Sequence, residues 1–173
     1  MKSDFATGTV DLVWTKAPGR QAYELSASGP LIGALKRVRF SKRANWPENE
    51  RPRWLFRRVG STDIEILEEE GVPPVAYFKA NLLGGGKLSF IDGEEFRLAM
   101  KGLLRPVWSW RNDHDEKLFK VIPHKRTVAI KDKNSVQKLN PFKFSILAML
   151  SWHQVLRTSR KARAAVATGT PAT

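Results

Sequence analysis

Between Thr7 and Lys131 apolar side chains recur at every second position in short runs separated by turn residues, the period of a strand with one buried face. The runs are Thr7–Thr15, Ala22–Ser28, Ile32–Ser41, Arg53–Arg58, Thr62–Glu68, Val75–Leu82, Lys87–Ile91, Glu95–Lys101, Val107–Arg111, Lys117–Pro123 and Thr127–Lys131. After Asn140 the alternation stops. Phe142 to Leu156 is helix-like and apolar on nearly every face, and a helix of that kind must be enclosed rather than leaned against one wall. Asn140 is placed to cap it and Pro141 suits its first position, so a helix is predicted over about 141–160.

The strands predict local pairing that keeps one face apolar. A loop at Val59-Gly60-Ser61 pairs Phe56 with Ile64 and Trp54 with Ile66, leaving Arg57 opposite Asp63. Loops at Leu83-Gly84-Gly85 and Asp92-Gly93-Glu94 pair Phe78 with Phe90, Ala80 with Leu88, Phe90 with Phe96 and Leu88 with Leu98. Trp108-Ser109-Trp110-Arg111 with Leu118 and Val121 echoes Trp54-Leu55-Phe56-Arg57 with Ile64 and Ile66, either as a repeat or as any hairpin reads. A meander followed by one all-apolar helix is accommodated by threading the helix through the strands. The expected fold is mainly β: a closed antiparallel β-barrel of about 12 strands around a central hydrophobic C-terminal α-helix. Residues 1–163 form one domain in this reading, with 164–173 a disordered tail.

Charge narrows the choice of partner. With 30 basic and 17 acidic residues, the formal charge of +13 favours an anionic lipid surface, a phosphorylated ligand or nucleic acid. The chain contains no cysteine, which excludes disulfides, thiolate zinc sites and thiol catalysis. Its first residues carry no signal-peptide h-region, and the apolar helix falls short of the roughly 20 residues of a bilayer span. These features point to a cytoplasmic protein, peripheral at the membrane. Arg157, Arg160, Lys161 and Arg163 follow the helix directly, so a tail anchor stands as the alternative.

The densest cationic stretch is Lys36 to Arg58. It contains Lys36, Arg37, Arg39, Lys42, Arg43, Arg51, Arg53, Arg57 and Arg58 against Glu48 and Glu50, and Trp46 lies among them in a polar loop. Guanidinium forks hold phosphate oxygens in pairs, and a tryptophan beside cations suits a membrane interface or a stacked base. These ten residues are the candidate anion- and lipid-binding set, with Lys42, Arg43 and Trp46 expected in a loop. The competing reading is a solvated outer face with charges paired across strands, and Trp46 folded over one end.

Other motifs are weaker. Gly84-Gly85-Gly86 lacks the Lys-Ser/Thr of a phosphate loop and reads as a hairpin turn. Asn112-Asp113-His114-Asp115-Glu116 gathers possible cation ligands, but without the spacing of a calcium loop it reads as a polar hairpin tip. His124 and His153 are isolated, and no Ser/His/Asp set or carboxylate pair has catalytic spacing. The expectation is a non-enzymatic protein with no cofactor and no metal.

In Trp54-Leu55-Phe56-Arg57-Arg58, Asp63-Ile64-Glu65-Ile66, Val75-Ala76-Tyr77-Phe78-Lys79, Leu88-Ser89-Phe90-Ile91-Asp92-Gly93, Trp108-Ser109-Trp110 and the C-terminal helix, the chain resembles the tubby C-terminal-like superfamily. That group includes tubby proteins, phospholipid scramblases and LURP-one-related proteins. The resemblance implies a twelve-stranded closed barrel around a central C-terminal helix. Tubby members bind phosphoinositide head groups through basic surface residues. Scramblase-like members are linked to membranes, sometimes with calcium held by an acidic segment. Here the corresponding segment, Ile130-Lys131-Asp132-Lys133-Asn134-Ser135, is mostly basic. The leading expectation is therefore a tubby-like barrel binding an anionic membrane or phosphorylated head group. Nucleic-acid binding through the same residues, or a protein-interaction scaffold with incidental charge, are the alternatives.

Overall fold

A computed structural model describes residues 10–16, 22–27, 31–38, 41–45, 54–68, 71–81, 85–102, 105–130 and 139–167; for 10, 11, 22, 27, 31–38, 41–45 and 160–167 it describes the backbone alone. Among the described residues twelve strands precede one long helix. They are β1 (Val10–Lys16), β2 (Ala22–Ala27), β3 (Leu31–Val38), β4 (Ser41–Asn45), β5 (Trp54–Val59), β6 (Asp63–Leu67), β7 (Ala76–Ala80), β8 (Gly86–Phe90), β9 (Glu95–Lys101), β10 (Val107–Arg111), β11 (Lys117–Ile122) and β12 (Thr127–Ile130), followed by α1 (Pro141–Ala167). The protein is thus mainly β with a C-terminal helix. Each strand pairs antiparallel with the next, and β1 also pairs with β12, so every strand has a neighbour on both sides.

One strand, β4, was not expected. The run Ile32–Ser41 ends early, β3 stopping at Val38, and β4 returns antiparallel alongside it from Ser41 into the expected loop, with Val38 facing Ser41. Lys42 and Arg43 therefore lie in a strand and not in a loop. Ser41-Lys42-Arg43-Ala44-Asn45 has no apolar alternation to announce a strand. Its conformation is imposed by β3 on one side and β5 on the other, a case of tertiary pairing overriding local preference.

The three expected hairpin registers have the right faces and the wrong partners, each displaced by two residues. Phe56 faces Ile66 and Arg58 faces Ile64; Phe78 faces Leu88; Leu88 faces Phe96. A one-residue slip would have turned every apolar side chain outward, whereas a two-residue slip preserves the buried face and is invisible to a parity argument. At β8–β9 the turn is Ile91-Asp92-Gly93. Gly93 takes a left-handed φ of +92° as its third residue, and its N–H donates to Phe90 O at 3.1 Å. Ile91, expected in the strand, is left at the tip with 72% of its surface exposed. At β7–β8 the glycine run serves packing. Gly86 opens β8 opposite Ala80, where an added Cβ would lie 2.4 Å from Lys79 O and 2.6 Å from Phe78 Cζ.

The helix begins as expected, with Asn140 Oδ1 accepting the Phe142 N–H at 2.9 Å. It ends at Ala167, beyond the expected limit near 160. Ile146, Leu147, Ala148, Met149 and Leu150 are all fully buried, which requires cover on every side of α1. Side chains from well-separated strands supply it. Trp54 of β5 donates its indole N–H to Ser145 Oγ at 2.9 Å, and Trp110 of β10 donates to Ser151 Oγ at 2.6 Å and Leu147 O at 3.1 Å. Trp14 of β1 stacks on Trp152 with ring centres 5.2 Å apart, Tyr23 of β2 meets Trp152 edge-on, and Phe119 of β11 meets Phe144. Trp14, Trp54, Trp108 and Trp110 are each fully buried. At about 25 cal/mol per Å² over roughly 150–250 Å² apiece, each contributes about 4–6 kcal/mol of gross burial.

Among the described residues, Lys143 is the cation drawn furthest into this apolar surround. Lys143 sits in the first turn of α1, where the helix dipole disfavours positive charge, with 11% of its side chain exposed. Two carboxylates of the β8–β9 hairpin answer it, Asp92 at 2.5 Å and Glu94 at 2.8 Å, and its ammonium lies 5.0 Å from the centre of the Phe90 ring. Burial alone would lower the Lys143 pKa, but hydrogen bonds to Asp92 and Glu94 outweigh it and hold it above its ordinary value. The Lys143 hydrogen bond in turn holds Asp92 below the usual carboxylate range.

Candidate functional site

The structure divides the ten candidate residues into three groups. Lys36 and Arg37 lie in β3, and Lys42 and Arg43 in β4, as backbone positions. Arg39, Trp46, Arg51 and Arg53 lie outside the described residues. Arg57 and Arg58 lie in the exposed half of β5 and are described in full.

The β3–β4 register sets the first group against itself. Lys36 faces Arg43 and Arg37 faces Lys42. On the far side of β4, Lys42 faces Phe56 and Arg43 faces Leu55. Two directly opposed pairs of cations therefore fill the middle of one hairpin. Like charges in that relation destabilise a sheet.

Arg57 behaves differently. Its Nε and Nη2 both donate to Glu65 Oε2, at 2.8 and 2.6 Å, across the β5–β6 pair. The expected partner was Asp63, and the two-residue register change moves the ion pair to Glu65. Arg57 is thus already engaged, in the manner of a solvated outer face. Lys87 is similarly paired with Glu95 at 2.6 Å, and this hydrogen bond holds the Glu95 carboxyl below its usual range.

Arg58 continues the face of Trp54 and Phe56 past the buried half of the strand, so it meets the helix where α1 leaves the core. There it donates from Nη2 to Ser61 O at 2.5 Å. A residue outside the candidate set shares that acceptor. Arg157 of α1 donates from Nη2 to Ser61 O at 3.2 Å and from Nη1 to Thr62 O at 3.1 Å. Burial and the neighbouring charge of Arg58 push the Arg157 pKa down, and Asp63 opposes them from a distance. Arg157 was visible only as the first of a basic run after the helix. The turn it reaches lies far upstream in the chain.

The Asn112–Glu116 segment is a polar hairpin tip in which Asp115 and Glu116 are occupied. Arg111 holds Asp115 at 2.7 Å, Asn112 Nδ2 donates to Glu116 Oε2 at 2.8 Å, and the Glu116 N–H donates to Asn112 Oδ1. Among the described residues no three His, Asp or Glu side chains converge as metal ligands. Nor, among them, is any helix long and apolar enough to cross a membrane. His153 lies within the core end of α1, edge-on to Phe56 at 5.8 Å.

No family model, curated protein or solved structure matches this chain.

Proposed function

We propose that this chain is a tubby-like barrel, its strands closed around α1, that binds an anionic membrane surface or phosphorylated head group through the cations of β3 and β4. The observation that carries this reading is the β3–β4 register, with Lys36 opposite Arg43 and Arg37 opposite Lys42. A fold that keeps two like-charged cross-strand pairs, one on each face of the hairpin, tolerates a local cost, and an anion bound at a pair removes it. Phosphate suits this role because guanidinium and ammonium donors can share its oxygens. The formal charge of +13 adds long-range attraction to the same class of partner. The mechanism asks no chemistry of the core beyond rigidity.

Co-sedimentation with liposomes tests it. Binding should rise with the fraction of anionic lipid and fall as salt is added, because the attraction is screened over about 10 Å at 0.1 M salt. Joint replacement of Lys36, Arg37, Lys42 and Arg43 by Gln should abolish it. Binding that ignores lipid charge, or survives the fourfold change, would sink the proposal. Preference for DNA or RNA over vesicles, with log affinity falling linearly in log salt, would move the same residues to nucleic-acid recognition.

A further inference from the structure

Building on the anion-binding reading, we infer that Arg58 and Arg157 form a second, separate site for a phosphate group at the point where α1 emerges from the strands. One arginine comes from the wall and the other from the helix, and both are fixed by the same short turn. Ser61 O accepts from each, and Thr62 O accepts from Arg157. Backbone carbonyls orient a guanidinium without cancelling its charge. Among the described residues neither arginine has an ion pair with a carboxylate, in contrast to Arg57, Lys87, Arg111 and Lys143. The two positive charges are close enough for Arg58 to depress the Arg157 pKa.

Each guanidinium offers five N–H donors, and the three carbonyl contacts leave most of them unused. Two oriented forks with open donors and no direct carboxylate partner match a tetrahedral dianion. The hydroxyls of Thr158 and Ser159 are turned back onto helix carbonyls and do not compete. The ligand chemistry is that of a phosphomonoester group, either free or carried on a lipid head group.

Calorimetric titration of the full chain with inorganic phosphate, in chloride buffer, reads this site directly. Wild-type protein should bind phosphate, and Arg58→Gln should weaken binding by about tenfold, the loss of one charge-assisted contact. Arg58 is exposed, so this variant should retain its far-UV circular dichroism; Arg157→Lys, which keeps the charge and loses the fork, should weaken phosphate as well. The fourfold β3–β4 Gln variant should still bind phosphate while losing vesicles, which separates the two readings. Equal phosphate affinity in wild type and Arg58→Gln, or no phosphate binding by a wild-type protein that still binds vesicles, overturns the second site and leaves the first. Vesicles carrying phosphatidylinositol 4-phosphate distinguish the source: competition with phosphate that Arg58→Gln abolishes assigns a head group, and absence of competition assigns a free phosphate.

Discussion

Lys143 illustrates how one side chain can join two distant parts of the chain. Its ammonium fastens the β8–β9 tip to the first turn of α1, and Asp92 and Glu94 compensate both its burial and the helix dipole. Because the Asp92 carboxyl is held below its unfolded value, its contribution is present above about pH 4 and is lost as the pH falls through the folded pKa. Urea midpoints measured from pH 6 down to pH 2 should therefore lie lower for Asp92→Asn than for wild type near pH 6, and the two curves should converge at the acid end. Parallel curves would show that Asp92 contributes nothing through its charge. Asn140 was legible as a cap because its partner, Phe142, is local. The inward facing of Trp54 and Trp110 followed from alternation. Their acceptors, Ser145 and Ser151, did not, because no local pattern ties a strand to a helix formed so much later in the chain.

At the scale of elements, period identified the strands and chemistry of the turns decided their registers. Parity fixed which face is buried, and the site of the turn then selected among registers two residues apart. Gly93 made that selection for β8–β9 by accepting a left-handed conformation at the last turn position. Gly86 records a different constraint, that of space between β7 and β8. Gly86→Ala should lower stability by about 1–3 kcal/mol, the usual cost of overpacking, with no change in anion binding. Chemical denaturation checks this, and an unchanged midpoint would show that β8 can shift to admit the methyl group. The element that sequence reading lacked was β4, and with it went the main feature of the candidate site. A polar run read as a loop concealed the opposition of Arg37 to Lys42 and Lys36 to Arg43.

For the molecule as a whole, the helix is the common partner of the strands. Residues of β1, β2, β5, β10 and β11 all touch it, and its central residues have no exposed side. Leu147→Asp places an unpaired charge at that centre, a cost of several kcal/mol against a net stability of about 5–15 kcal/mol. The variant should lose its circular dichroism and cooperative unfolding altogether. A folded Leu147→Asp protein that merely failed to sediment with membranes would make α1 an anchor and not a core. The basic run after the helix left a tail anchor open as the lesser alternative. Its first member, Arg157, instead reaches back to the β5–β6 turn.

The order of these elements along the chain has a consequence for biosynthesis. The twelve described strands precede α1, so the ribosome releases them before the helix they pack on. Until Leu147 and its neighbours clear the exit tunnel, Trp14, Trp54 and Trp110 lack the helix side chains they pack on, and folding must wait for α1 to be made. During that interval the nascent chain is a set of unpaired, aromatic-rich strands, the state most in need of a chaperone.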